Sequence, residues 1–549
     1  MMYVSRNAVA EWSYVSGRSY ADPFSEVTLD VLVMDPEGHE QIVPAFWAGE
    51  GTWRVRYASS KVGVHRYRTI CSDASNSDLH GQEGSLEVTP YESSHALLQH
   101  GRLRVSANRR HLEHQDGTPF LWLADTWWMG LCRRLEWPSG FQELTADRVA
   151  KGFTVVQIVA GLYPDMEPFD ERGANEAGFP WRQDFSAINP SYFDMADLRI
   201  AHLVRCGIVP CIVGSWGYWL EFAGAPVLHK HWRNLVARFG AYPVVWCAAG
   251  EALMGYYLQR AEESKTNERL KRLRSGWSEI VRGIRSVDSF HNPVTIHPTQ
   301  YGHDQVDDPA VLDIDMLQTG HSGFSSLANT VKMLEESLAH EPKMPVLVGE
   351  VNYEGIMESS REEIQRFLFW SCLLSGAMGH TYGANGIWQV NARGHPYGPS
   401  PHGTSWGNMP WEDAYQLPGS AQLGLGKRLL ERYPWWQFEP HSEWAEPHQT
   451  PQDRMSVYAA GIPGQVRCFY IPAAVSWAAW RGALLLQRLE KGLSYHGFYW
   501  NPKTGEEHDL GTVMGDEQGD YALPKPPVFQ DWVVVLEREG FARVLHSVV

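Results

Sequence analysis

The sequence predicts an α/β protein, a (β/α)8 TIM barrel flanked by two β-sandwich domains. Three observations carry this expectation. Between Pro119 and Tyr382, short apolar runs alternate with helical stretches, the signature of parallel strands joined by crossover helices. Before about residue 95 and beyond about Trp436 the texture is instead short strands separated by turn-formers, as in sandwiches. Two of the central apolar runs, Tyr242-Pro-Val-Val-Trp-Cys-Ala-Ala-Gly-Glu251 and Lys343-Met-Pro-Val-Leu-Val-Gly-Glu350, stop abruptly at Gly-Glu. In a barrel the C-terminal ends of the strands floor the active site, so a charge placed there has work other than packing.

Taken in order, residues 1–95 form the first sandwich. Glu26–Met34, Thr52–Tyr57 and Gly63–Cys71 alternate polar and apolar, and Asp35-Pro-Glu-Gly38 breaks the chain between strands. His100 to Asp116 reads as a hairpin, with Asp116-Gly117 as its turn signal. His111 and His114 are no metal pair, because on a strand they point to opposite faces.

The barrel occupies residues 96–436. Its candidate strands are Pro119–Trp127, Phe153–Val159, Ile208–Ser215, Val244–Gly250, Pro293–His297, Leu312–Leu317, Val346–Gly349 and Met378–Tyr382. Helical stretches between them include Tyr192–Cys206, Val227–Phe239, Asn267–Val287, Phe324–His340 and Ser360–Ser375, giving eight strand–helix units. Long aromatic-rich connections are expected after the second, third and eighth strands. Residues 437–549 return to short strands, Met455–Ala459, Val466–Ile471, Ala483–Leu486, Tyr495–Trp500 and Trp532–Leu536, with Asn501-Pro-Lys-Thr-Gly505 as a turn.

Composition excludes several classes. The net charge is -17, from 47 basic and 64 acidic residues, which argues against nucleic acid or an anionic membrane as partner. The 7 cysteines show no CxxC spacing and sit mostly in apolar runs, so they read as reduced core thiols. With no apolar leader and no run long enough to span a bilayer, the expected location is cytoplasmic. The 24 Trp and 23 Tyr lean towards carbohydrate, because flat aromatic faces stack on sugar rings. The expected partner is a small carbohydrate or glycoside; no cofactor or metal is required, and no oligomeric state is implied.

Two carboxylates on strand ends facing one pocket suit a retaining glycosidase, which needs one ionised nucleophile and one protonated acid about 5 to 5.5 Å apart. Glu350 is the candidate nucleophile and Glu251 the candidate acid/base, because strands four and seven face each other across a barrel mouth. Glu354, held in a loop, ranks behind Glu350. Candidate substrate-binding groups are Asp125 and Trp127 on strand one, Gln157 on strand two, and Trp216 and Tyr218 after strand three, with Trp219, Tyr163 and Asp165 at the rim. His297, Gln318 and His321 close strands five and six. Tyr353 follows the nucleophile, and His380, Tyr382, Asn385 and Trp388 line the last strand and its loop. Two rival classes are weaker. A metal-dependent barrel hydrolase wants His-x-His at the end of strand one, where the chain has Asp125-Thr-Trp127, and the His-x-His present, His229-Lys-His231, falls at a helix start. A non-catalytic carbohydrate-binding protein could dispense with one of the two carboxylates, yet both are there.

The strings Pro119-Phe-Leu-Trp-Leu-Ala-Asp-Thr-Trp-Trp128, Ala150-Lys-Gly-Phe-Thr-Val-Val-Gln157, Gly349-Glu-Val-Asn-Tyr-Glu-Gly355 and Gly379-His-Thr-Tyr-Gly383 together resemble the apiosidase-like glycoside hydrolases of the clan A barrel type. The flanking regions resemble that family's N-terminal immunoglobulin-like module and a C-terminal module once labelled collagen-binding. The resemblance implies a retaining mechanism with Glu350 as nucleophile; the expected activity is exo-acting removal of one terminal sugar, a furanose such as apiose or arabinofuranose, by double displacement. The chain departs from the family at one point. Strand four usually ends there in Gly-Gly-Asp, whereas here it ends in Ala249-Gly250-Glu251, which moves the proton donor by about one methylene and leaves the sugar open.

Overall fold

Eight parallel strands form the central sheet of the computed structural model, which describes residues 2–544. They are β1 (Trp122–Trp127), β2 (Val155–Val159), β3 (Val209–Val213), β4 (Val245–Cys247), β5 (Val294–Thr295), β6 (Asp315–Gln318), β7 (Val346–Glu350) and β8 (Gly379–Tyr382). Nearly every residue in them is buried, as required of strands covered by helices outside and filled by their own side chains inside. The hydrogen-bonded order is β5-β4-β3-β2-β1-β8-β7-β6, the sequence of a sheet curling on itself. The seam between β5 and β6 is crossed without a regular ladder: the Asp313 amide donates to Val294 O (2.8 Å), and Thr295 Oγ1 donates to Ile314 O (2.9 Å).

Around the sheet lie α1 (Ser139–Ala150), α2 (Pro190–Arg205), α3 (Ala225–Phe239), α4 (Asn267–Val287), α5 (Phe324–Ala339), α6 (Glu362–Leu374) and α7 (Pro418–Leu430). α4 shows why such segments form. Thr266 caps it by accepting from the Arg269 amide, Glu268 complements the helix dipole, and Leu273, Trp277, Ile280, Val281 and Ile284 bury one stripe. Proline opens α2, α3 and α7, where its missing N–H costs nothing.

Two expectations need correction. The fifth strand–helix unit has no α-helix: His303–Gln305 and Pro309–Val311 are single 3-10 turns, the second opened by Asp308-Pro309, which cannot continue a strand. The connection after β3 is short, running into a small helix at Trp219–Ala223, so the third long wall comes from the loop after β4 instead.

On the N-terminal side, a five-stranded sheet (Met2–Ser5, Glu83–Thr89, Gly63–Cys71, Leu29–Met34, Glu40–Pro44) faces a three-stranded one (Ala10–Val15, Thr52–Tyr57, Phe46–Trp47) over a core of its own. Buried Arg56, paired with Glu11 on the neighbouring strand, ties this sandwich to the barrel by pairing also with Asp197 of α2. On the C-terminal side a six-stranded sheet centred on Val466–Ile471 and Trp532–Arg538 faces a small three-stranded one. There Arg366 of α6 reaches Asp531 through two hydrogen bonds, a bidentate ion pair buried on both sides. Among the described residues, no helix is long and apolar enough to cross a membrane.

Candidate active site

The two Gly-Glu endings lie on one side of the barrel because parallel strands all deliver their C-terminal ends to the same face. Their glycines are required by neighbours: a Cβ at Gly250 would lie 2.1 Å from the Trp216 ring, and one at Gly349 would lie 2.3 Å from Met316 Cγ. Glu251 itself has φ 42, left-handed backbone that a non-glycine residue rarely adopts and that collects at functional sites.

A register shift at the end of β6 pairs Gln318 with Glu350 rather than with Gly349. The Gln318 side chain thereby enters the space between the acids. Its Nε2 donates to Glu251 Oε1 at 3.0 Å and to Glu350 Oε1 at 2.9 Å. Those two oxygens can be no further apart than the sum of these distances.

The surroundings of the two acids differ. Glu350 Oε1 accepts from His321 Nε2 at 2.8 Å, and its Oε2 stands 3.1 Å from His297 Nε2, close enough to pair but off the line of a directed hydrogen bond. Burial alone would raise its pKa; the His297 and His321 imidazoles outweigh burial and hold the carboxylate well below its ordinary range. Burial and the adjacent Glu350 charge raise the pKa of Glu251, only partly offset by the Gln318 amide, His297 and the Trp216 indole N–H (3.1 Å). His297 joins the two: its Nδ1 accepts from the Glu251 backbone N–H (3.4 Å), which leaves the proton on Nε2, facing Glu350.

Both acids open on a cavity of about 340 Å³ with Trp128, Trp216, Tyr353, Trp388 and Trp406 in its walls, together with Asp165, Tyr257 and His402. A family model described as apiosidase-like, catalytic domain, matches residues 106–437. The chain belongs to the apiosidase-like family of glycoside hydrolases. A second model, a domain of unknown function (DUF5060), matches residues 4–72. Solved structures agree on the fold. A provisionally assigned glycoside hydrolase from Bacteroides vulgatus ATCC 8482 is 16% identical with a TM-score of 0.68, covering 98% of this chain and 100% of its own. A family 5 glycoside hydrolase from the same organism is 21% identical with a TM-score of 0.63, covering 82% and 96%. No functionally curated protein matches the sequence.

In this apiosidase-like hydrolase the cavity gathers Glu350, Glu251, Trp216, Gln318, His321, Tyr353 and Trp388, with His297 beneath Glu350. Tyr353 accepts from Trp128 Nε1 (3.1 Å) and stacks near Trp388 at 6.0 Å between ring centres; burial and the Glu350 charge push its phenol well above its usual range. Gln157 lies below, inside the barrel, donating to Gly349 O at 2.9 Å and so bracing β7.

Six expected substrate contacts lie elsewhere. Asp125 accepts from Arg148 Nε of α1 (2.6 Å) and from Trp127 Nε1 (2.7 Å), and Trp127 packs edge-on against Phe141. His380 meets Phe369 of α6, and Tyr382 donates to Glu354 at 2.6 Å. These four share the strand face turned towards the helices, since successive side chains alternate. Desolvation drives the His380 pKa down to about 3, so it is a neutral core ring. Tyr218 is buried with its hydroxyl on Tyr163 O (2.7 Å), and Asn385 is buried beside Gln389. Glu354 also faces away from the cavity: it accepts from Tyr382 and from the Gly419 amide at the start of α7, and burial raises its pKa to about 7.

Of the rim candidates, Asp165 lines the cavity, fixed by Ser400 and the Trp406 indole on the loop after β8. It has φ 57, burial raises its pKa, and its Oδ2 has no partner. Tyr257, His402 and Trp406 come from long loops whose sequences carry no periodicity, and reading the sequence did not single them out. Ligand atoms that converge closely enough for a metal occur, among the described residues, at Asp35, Glu37 and His39, but Lys61 Nζ already stands 2.6 Å from both acids there.

Proposed function

We propose that this protein is a retaining, exo-acting glycosidase that removes one terminal, uncharged sugar, a furanose such as apiose or arabinofuranose, by double displacement. The observation that carries this is the single Gln318 nitrogen in contact with both carboxylates. With bonds of 3.0 and 2.9 Å from one nitrogen, it keeps the two Oε1 atoms facing each other across a short gap, which supports the close spacing of a retaining pair over the roughly 6.5–9.5 Å that an inverting enzyme leaves for its water. In the first step Glu350 bonds to the anomeric carbon while the bond to the leaving oxygen breaks, and Glu251 gives that oxygen its proton. In the second, Glu251 takes a proton from water as the water oxygen displaces Glu350. The opposite shifts of the two acids suit these roles: Glu350 is held towards its ionised form and Glu251 is pushed towards its protonated form.

The aromatic side chains lining the cavity offer faces for a sugar ring to stack on. Among the described residues neither lysine nor arginine lines it, which supports a neutral sugar, since a uronate would meet no permanent positive charge beside Glu350. The seven unpaired cysteines support a reducing, cytoplasmic setting.

The test is a panel of aryl furanosides, pyranosides and uronides, with the first-formed product followed by proton NMR. A neutral furanoside should be cleaved fastest, and its sugar should be released with the configuration of the substrate. A first-formed product of inverted configuration would sink the mechanism.

A further inference from the structure

Gln318 makes side-chain contacts that packing does not explain. Both of its side-chain hydrogen bonds run to the two strand-end carboxylates, from the same nitrogen, at 3.0 and 2.9 Å. An amide nitrogen carries two hydrogens, so each acid receives one and neither competes for it. The register shift at the end of β6 aims the residue there, and the backbone is pinned on both sides of it: the Gln318 amide donates to Gln300 O (3.0 Å) and the Thr319 amide to Glu350 O (3.0 Å).

Resting on the double-displacement reading, we propose that Gln318 is a positioning residue whose amide group serves Glu350 and Glu251 in turn as negative charge passes from one to the other and back. In the first step Glu350 becomes an ester and loses its charge, while Glu251 gives up its proton and gains one. In the second step the charges return. A hydrogen bond to an ionised acceptor is roughly twice as strong as one to a neutral acceptor, so the Gln318 bond strengthens on whichever side holds the charge. No side chain has to move, so reorganisation is small, the property that makes fixed donors effective in catalysis. The imidazoles are arranged differently: His321 reaches Glu350 alone, and His297 pairs with Glu350 while meeting Glu251 through its backbone N–H.

Gln318→Met keeps the length of the side chain and removes the donor. On the best aryl glycoside its kcat should fall about 10²- to 10³-fold, the loss typical of one fixed donor, with KM within about threefold. Both limbs of its pH profile should move upward, because each acid loses a group that favours its ionised form. Carboxyl carbon NMR of 13C-glutamate protein reads the same titrations without substrate, and Glu251→Gln and Glu350→Gln supply the assignments. Unmoved limbs together with unmoved carboxyl titrations overturn the proposal, as does a loss confined to KM, which would make Gln318 a sugar-binding group. If the titrations shift in a protein that cleaves nothing, Gln318 stands as the shared donor and the hydrolase mechanism falls. Should Gln318→Met not fold, the wild-type side-chain amide resonance decides: it should respond to the titration of both acids, and a response to neither overturns the proposal.

Discussion

At the end of β7, Glu350 meets the His321 imidazole at 2.8 Å and that of His297 at 3.1 Å, whereas at the end of β4, Glu251 meets the Trp216 indole N–H and the charge of Glu350 itself. Glu350 is buried and Glu251 partly buried, both follow a glycine that a neighbouring side chain requires, and both share Gln318. Burial pushes each towards the neutral form, so burial cannot separate them. What separates them is the imidazole pair on one side and, on the other, a like charge. A strand-end carboxylate is thus pushed towards its ionised or its neutral form according to the residues that neighbouring strands bring to it. Asp125 makes the same point from outside the cavity: it too stands near a strand end, yet it faces α1 and is paired with Arg148 inside the core.

The comparison can be broken most sharply at Glu350. Glu350→Ala should lose on the order of 10⁴-fold or more in kcat/KM, and azide should restore turnover by giving a glycosyl azide of inverted configuration. Near-normal turnover would remove Glu350 from the chemistry. Glu251→Ala should lose about 10²- to 10⁴-fold, with the smaller losses on aryl glycosides whose leaving groups need little protonation. An equal loss across a series of leaving groups would argue against Glu251 as the acid.

His321→Ala sharpens the comparison through pH. Glu350 must be ionised and its pKa is held low, so the activity it supports is present above that pKa and is lost as pH falls through it. Removing one imidazole should move the acid limb of kcat/KM upward by about one unit, worth about 1.4 kcal/mol. An unmoved acid limb would mean that His321 does not set the charge of Glu350. Glu354→Gln should have the smallest effect on activity, within a few-fold of wild type, because Glu354 faces Tyr382 and α7. Its consequence lies in stability. A carboxyl raised from 4.5 to about 7 contributes stability below its unfolded pKa and loses it as pH rises through about 7. Melting of Glu354→Gln should therefore depend less on pH between about 5 and 8. A collapse of activity in this variant would reopen Glu354 as a rival nucleophile.

Legibility followed side-chain periodicity. The eight parallel strands coincide with apolar runs because strands buried on both faces admit little else, and α4 is bounded by its cap and its apolar stripe. The Gly-Glu endings were visible because a charge terminating such a run is conspicuous. Which residues near a strand end enter the barrel was not visible. Asp125, Trp127, His380 and Tyr382 sit one position out of phase with the inward set, and a continuous apolar run does not reveal its phase. The cavity wall was less visible still. Asp165 was readable as a rim residue, but Tyr257, His402 and Trp406 come from two further loops that meet it only in the folded chain, and loops carry no period.

The sequence by itself therefore determined the barrel, the sandwich character of its flanks and the two candidate acids, because local apolar patterning and strand-end position specify them. Tertiary structure alone decided the opposite pKa shifts of Glu251 and Glu350, the bridging of both by Gln318 and the outward turn of Asp125. Each of these depends on through-space contacts between strands far apart in the chain, at distances that a linear pattern does not encode.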